Sequence, residues 1–293
     1  MKYETIRVNR EKTFSEELRQ LFDADVIARI IREGKVENTE NWIRAAMEGH
    51  SLKISGAMAP RVHAICERVK ERLEFAEPVE FFVHGDRSLN CSAVPRLEEE
   101  HPHLVIINSG LLEMVTDEEL SFVLGHELGH LISRNSELSR IVRFVFPPGV
   151  ELPLAIRDKI GIWDKLSEMS ADRFGFLACP DLDVCLAVFF KLASGMQTTA
   201  ISFDPRAYLE EMERVLEAFR TEMSDWGISH PINPIRLKAL QHFERSRLFA
   251  AVQKREELEG DPELAQRVQR VIEPPVDAQT LQRVVTEVLE PAS

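Results

Sequence analysis

Cysteine, tyrosine and long apolar runs are all scarce in this chain, and each scarcity excludes something. Across 293 residues there are four cysteines and two tyrosines. Cys66, Cys91, Cys179 and Cys185 have no paired spacing of the kind that builds a cysteine-based metal site. Four cysteines could form two disulfides, but a chain long enough to bury a sizeable core does not need them. No run of about 18 or more apolar residues occurs, which excludes a helical membrane span. The nearest approach, Ile141 to Ile156, is broken by Arg143, Pro147, Pro148, Glu151 and Pro153 and reads as a loop over core or cleft. The first residues, Met-Lys-Tyr-Glu-Thr-Ile-Arg, lack the apolar segment of a secretory signal, so the expectation is a soluble, cytoplasmic protein. Positive charge is also short: 36 Lys and Arg face 49 Asp and Glu, for a net charge of −13. That balance speaks against nucleic acid as a partner and against bulk attraction to an anionic membrane.

What remains is an ordinary globular composition, 44% hydrophobic and 29% charged. It is organised around residues 116–133. Thr116 followed by Glu119 forms a capping box, and Leu120, Val123, Leu124, Leu128 and Leu131 give the helix behind it a buried face. His126 and His130, four apart, stack on one side of that helix. Two imidazoles so placed can grip one zinc ion, with Glu127 beside them to take a proton from a zinc-bound water. This is the H-E-x-x-H pattern. Gly125 and Gly129 flank the histidines, although each glycine costs about 1 kcal/mol in a helix interior, so a neighbour should pack close to the backbone there.

Upstream, Thr13 and Glu16 predict a helix running to about Glu33 and stopping at Gly34. A second helix should follow Thr39 and end near Gly49. Ser51–Ser55, Val79–Val83, Leu89–Val94 and Leu104–Ile107 read as extended pieces, with a helix opened by Pro60 after the first. His84, His101 and His103 flank these strands and turns with no partner at metal-ligand spacing. Downstream, Ser133 to Ser167 reads as mixed helix and proline-containing loop, and Glu168-Met-Ser-Ala-Asp172 opens a helix. Its two carboxylates are four apart and share a face. A zinc held by two histidines needs a third protein ligand, which a carboxylate on a neighbouring helix can supply. Asp172 could then accept a hydrogen bond from a ligating histidine; the plainer alternative is a solvated acidic stripe. An apolar helix over 181–194 and an amphipathic one from Asp204-Pro follow. His230 sits in a loop before a helix that begins near Asn233 and carries Arg236, where it could donate to an oxyanion; otherwise it is a turn residue and Arg236 a surface ion-pair partner. The elements add up to an α+β fold, mainly helical with a small mixed β-sheet. The expected division is an N-terminal helical layer (1–50), a catalytic stretch (51–248) and a charged, helix-prone tail (249–293), docked or partner-binding.

In order along the chain, the last strand with Ser109-Gly-Leu-Leu, His126-Glu-Leu-Gly-His130, Glu168-Met-Ser-Ala-Asp172, and His230-Pro followed by Arg236 resemble a known family. It is the zinc metallopeptidase family that includes the CAAX prenyl protease, HtpX and the soluble minigluzincins. The resemblance covers about residues 50 to 245. It implies a zincin-type gluzincin domain with one Zn2+ per chain held by His126, His130 and Glu168, and Glu127 as general base. It further implies that Asp172 supports a histidine ligand, that His230 helps hold the substrate carbonyl or tetrahedral intermediate, and that Arg236 buttresses that site. The strand near Leu89–Val94 would be the upper edge of the cleft, pairing with an extended peptide; here it reads Asn90-Cys91-Ser92-Ala93 where the family usually has Asn-Ala-Phe-Ala. The membrane helices of the CAAX and HtpX branches have no counterpart, so membrane-embedded substrates are not expected. The implied activity is that of a soluble zinc-dependent endopeptidase acting on extended or unfolded polypeptides. The alternatives are a latent or non-catalytic zinc scaffold covered by Ile141–Ile156 or the tail, and a structural zinc site closed by a fourth ligand such as Cys91 or His230.

Overall fold

The computed structural model describes residues 3–33, 39–147, 149–222, 233–256, 258 and 260–272. At the N-terminus the helices start and stop elsewhere than the sequence suggests. Helices α1 (Tyr3–Ile6), α2 (Asn9–Leu21) and α3 (Ala24–Glu33) replace a single helix from Thr13. Thr13 lies inside α2 with its hydroxyl on the Asn9 carbonyl at 3.3 Å, because the chain before it is already helical. The break falls at Asp23, whose φ of 47° is left-handed, a conformation that aspartate tolerates better than most residues. Helix α4 (Thr39–His50) is where expected; Gly34 lies outside the described residues.

Strand β1 (Ser51–Lys53), helix α5 (Pro60–Arg72), and strands β2 (Val79–His84), β3 (Cys91–Val94) and β4 (His103–Asn108) follow. The sheet order is β1-β2-β4-β3, with β2 parallel to β4 and both outer pairs antiparallel, the small mixed sheet expected. β3 is therefore an edge. Asn108 donates to the Asn90 carbonyl at 3.0 Å, which sets the alternation of that ladder. Ser92 and Val94 turn their backbone groups to β4, while those of Cys91 and Ala93 face the open edge. A short helix, α6 (Ser109–Met114), intervenes before the histidine helix. At Gly110 a Cβ would overlap the Arg87 backbone, so glycine lets the loop before β3 lie against the start of α6.

Helix α7 (Asp117–Ile132) opens on the predicted capping box: Thr116 Oγ1 accepts from the Glu119 amide at 3.3 Å, and Glu119 Oε2 accepts from the Thr116 amide at 2.7 Å. Beyond it the expected mix of helix and proline-containing loop is found. α8 (Asn135–Val145) buries Leu138 and Ile141, and α9 (Leu154–Ala178) begins directly after Pro153 rather than near Glu168. Pro147 and Pro153 punctuate two helices rather than mark a long cover. α9 packs along α7 at a glycine seam: a Cβ on Gly125 would overlap the Ala178 side chain, and one on Gly129 would lie 2.8 Å from Phe174 Cβ. The close approach expected beside the histidines is α9 itself.

Helices α10 (Leu182–Ser194), α11 (Pro205–Glu222), α12 (Asn233–Glu244), α13 (Arg247–Lys254) and α14 (Pro262–Ile272) complete the described chain. Lys191 of α10 reaches Glu119 Oε2 at 2.7 Å and the Met114 carbonyl at 2.9 Å, joining α10 to the start of α7. The flanking segments share the core of the middle: Ile6 and Val8 from the start, and Leu248, Leu264, Val268 and Ile272 from the end, lie in one apolar cluster with Leu124, Leu128 and Phe174. No helix among the described residues is long and apolar enough to cross a membrane.

Candidate metal centre

His126 and His130 project from α7 towards α9, where Glu168 meets them. The three offer ligand atoms that all lie within 4.8 Å of one another. His126 Nε2 and His130 Nε2 are 3.1 Å apart, His130 Nε2 is 3.3 Å from Glu168 Oε1, and His126 Nε2 is 3.6 Å from Glu168 Oε2. Ligands about 2.0–2.1 Å from a tetrahedral ion sit ~3.3 Å from each other, so the donor set and spacing fit a metal such as zinc. His126 Nδ1 stands 3.0 Å from Asp172 Oδ1, the arrangement in which the ring donates there and leaves Nε2 a bare acceptor turned to the cluster.

Arg236 holds Asp172 from the far side. Its Nε donates to Asp172 Oδ2 at 2.8 Å and its Nη2 to Asp172 Oδ1 at 2.6 Å. The guanidinium also lies 4.8 Å from the centre of the Phe189 ring and 3.5 Å from Glu168 Oε2. Sequence reading had set Arg236 against the His230 site; the pairing with Asp172 needs α12 laid against α9, which spacing alone does not reveal. His230 lies outside the described residues.

The electrostatics follow from burial and from these partners. Burial works against the charge on Glu168, but bonded His130, with Arg236 and His126, holds it well below the usual carboxylate range. Burial likewise opposes charge on Asp172, and Arg236 and His126 outweigh it, keeping that carboxyl low. His130 is the counterpart: burial lowers its pKa, yet the bond to Glu168 lifts it to about 9, so this position draws positive charge. Glu127 differs. Burial raises its pKa, although the two histidines and the nearby Ala93 backbone pull the other way. A carboxyl whose pKa is raised by burial is better suited to accepting a proton than an exposed one.

The cluster opens on a cleft of about 910 Å³. Asn90, Cys91, Ser92 and Ala93 line it from the edge strand, opposite Glu127 and the ligand cluster. Arg140 of α8, absent from the sequence reading, ties the end of that strand down, with Nη1 on the Pro95 carbonyl at 3.0 Å and Nη2 on the Arg96 carbonyl at 3.3 Å. Among the described residues, neither Cys91 nor His84, His101 and His103 takes a place in the ligand group. His84 bonds Ser51, His103 bonds Glu77, and His101 lies 3.9 Å from Glu98.

The model of Peptidase family M48 matches residues 57–147, which include the edge strand, His126, Glu127 and His130 but stop short of Glu168. Over those residues the chain is similar to peptidase family M48. The plastoglobule-localized metallopeptidase 48 of Arabidopsis thaliana, a chloroplast protein, is 25% identical over 71% of this chain. The chain spans 63% of that relative's length. HtpX protease homologs resemble it over shorter stretches: that of Trichormus variabilis is 31% identical over 28% of each chain, and that of Thermodesulfovibrio yellowstonii 29% identical over 33% of each. No solved structure matches at a significant level.

Proposed function

We propose that this chain is a cytoplasmic zinc-dependent endopeptidase that hydrolyses extended or unfolded polypeptides. The observation that carries the reading is the convergence of His126 Nε2, His130 Nε2 and Glu168 from two packed helices, with Glu127 beside them under an open strand edge. His126, His130 and Glu168 would hold the ion, which when bound supplies Lewis acidity towards a carbonyl and lowers the pKa of water to about 7. Asp172 fixes the tautomer and orientation of His126, and Arg236 keeps Asp172 ionised and in place. Glu127 takes the proton of the attacking water and returns it to the leaving amine. His230, carried over from the family resemblance, would donate to the developing oxyanion. The outward backbone groups of Cys91 and Ala93 would pair with an extended substrate by β-augmentation.

Among the described residues the ligand side chains keep 12–15% exposure at the floor of the cleft, which supports catalysis over a scaffold covered by Ile141–Ile156. The experiment is digestion of unfolded casein by the purified chain. Cleavage that stops on chelation and returns on zinc addition supports the proposal. A zinc-loaded chain that leaves casein intact overturns it.

A further inference from the structure

The cleft does not end at the ligand cluster. It continues past His130 between the end of β3 and α8, and its far wall comes from the N-terminal helices: Ile31 of α3 and Ile43 of α4 line it together with Leu97 and Phe144. Two separate apolar clusters hold that wall in place. Ile43 packs with Val94 against Met47, Phe82 and Leu104, and Ile31 packs with Val145 and Phe146 against Phe22, Ile141 and Trp163. All four lining side chains are only half-buried, an unfinished apolar seat facing the cleft. Arg143 lines the same end, exposed and without an ion pair among the described residues. Asp164 also lines the cleft but has a partner of its own.

The ladder gives the distance. The Ala93 backbone lies near enough to act on the Glu127 carboxyl, and both line the cleft, so Ala93 marks the level of the reacting bond. β3 ends at Val94 and Leu97 follows in a bend, so an extended substrate lying on the edge reaches the seat within about four residues at about 3.3 Å each. Resting on the peptidase reading above, we propose that α3, α4 and α8 form a distal subsite. It seats a large apolar side chain about four residues to one side of the scissile bond, with an acidic residue beside it on Arg143. The occupant is the substrate itself, because the seat is continuous with the strand edge on which the substrate lies.

The test uses zinc-loaded chain carrying Glu127→Gln, so that binding is read without turnover, and fluorescent peptides of about twelve residues. At about four residues from the centre, on either side, they carry Leu-Glu, Ser-Glu or Leu-Lys. The proposal expects Leu-Glu to bind about tenfold tighter than Ser-Glu on one side only. It also expects Leu-Glu to bind severalfold tighter than Leu-Lys. Arg143→Glu should reverse the Glu and Lys order, and Ile43→Ser should erase the Leu and Ser difference. Equal affinities for all three peptides on both sides, in a chain whose Glu127 form cleaves them, overturn the distal subsite and leave the peptidase reading standing. A zinc-loaded Glu127 chain that neither binds nor cleaves any of them overturns both.

Discussion

Asp172 carries one buried carboxylate between two partners, His126 on one side and Arg236 on the other. Its spacing from Glu168 made the first partnership readable in the sequence, since residues four apart on a helix face the same neighbour. The second was not readable, because nothing in the local pattern around Arg236 says which helix it will lie against. Removing the carboxylate strands a buried guanidinium and frees the His126 ring. Asp172→Ala should therefore cost about 3–5 kcal/mol in denaturant unfolding of the metal-free chain, and lower zinc affinity about 10–100-fold by competition titration. Unchanged affinity would detach Asp172 from the metal centre.

At the scale of elements, α7 was legible almost to the residue, because capping box, apolar period and histidine spacing all agree. The start of α2 was not: the same Thr-x-x-Glu pattern at Thr13 meets a chain that is already helical, so the hydroxyl turns back onto Asn9. The glycine seam is the element-scale feature with the sharpest consequence. Alanine at position 125 would gain about 1 kcal/mol in helix propensity, yet its Cβ would overlap Ala178, and overpacking costs about 1–3 kcal/mol. Gly125→Ala should thus be a net loss in stability, with weaker zinc binding as α7 and α9 move apart; a stabilised variant with intact zinc affinity would mean that the seam yields freely.

The sheet edge has its own pH dependence. His103 on β4 accepts the Arg96 amide at Nδ1, 3.1 Å away, and its Nε2 lies 3.0 Å from Glu77. Burial lowers its pKa, with Arg96 and Arg140 acting in the same sense against the pull of Glu77. Because the folded value lies below the unfolded one, the unfolded chain binds the extra proton. The contribution of His103 is complete above the unfolded pKa of about 6.5 and is lost as pH falls through the folded value. Melting temperature should decline below that pH, and His103→Gln should remove this part of the decline; an identical decline in both proteins would contradict the assignment.

At the scale of the whole molecule, the sequence suggested three segments, whereas the buried polar network crosses their boundaries. Glu11 of α2 accepts from Arg7, Ser15 and Ser170, Trp163 donates to Ser15 at 2.8 Å, and Arg173 donates to the Ile6 carbonyl at 2.8 Å. α9 thus shows Glu168 and Asp172 to the candidate metal centre and Trp163, Ser170 and Arg173 to the N-terminal helices. Such long-range partners leave no trace in local periodicity, which is why residues 1–50 read as a separate layer. Deleting them should give a chain without a cooperative thermal transition rather than a free catalytic domain, as followed by circular dichroism. Cutting after Arg247 should act similarly, by stripping Leu248, Leu264, Val268 and Ile272 from the core.

The peptidase reading turns on Glu127. The decisive measurement is Glu127→Gln, with zinc content and casein cleavage read on the same sample. A general base predicts one zinc per chain and a rate at least ~100-fold lower. Full zinc with undiminished cleavage would remove Glu127 from the chemistry and contradict the proposed mechanism.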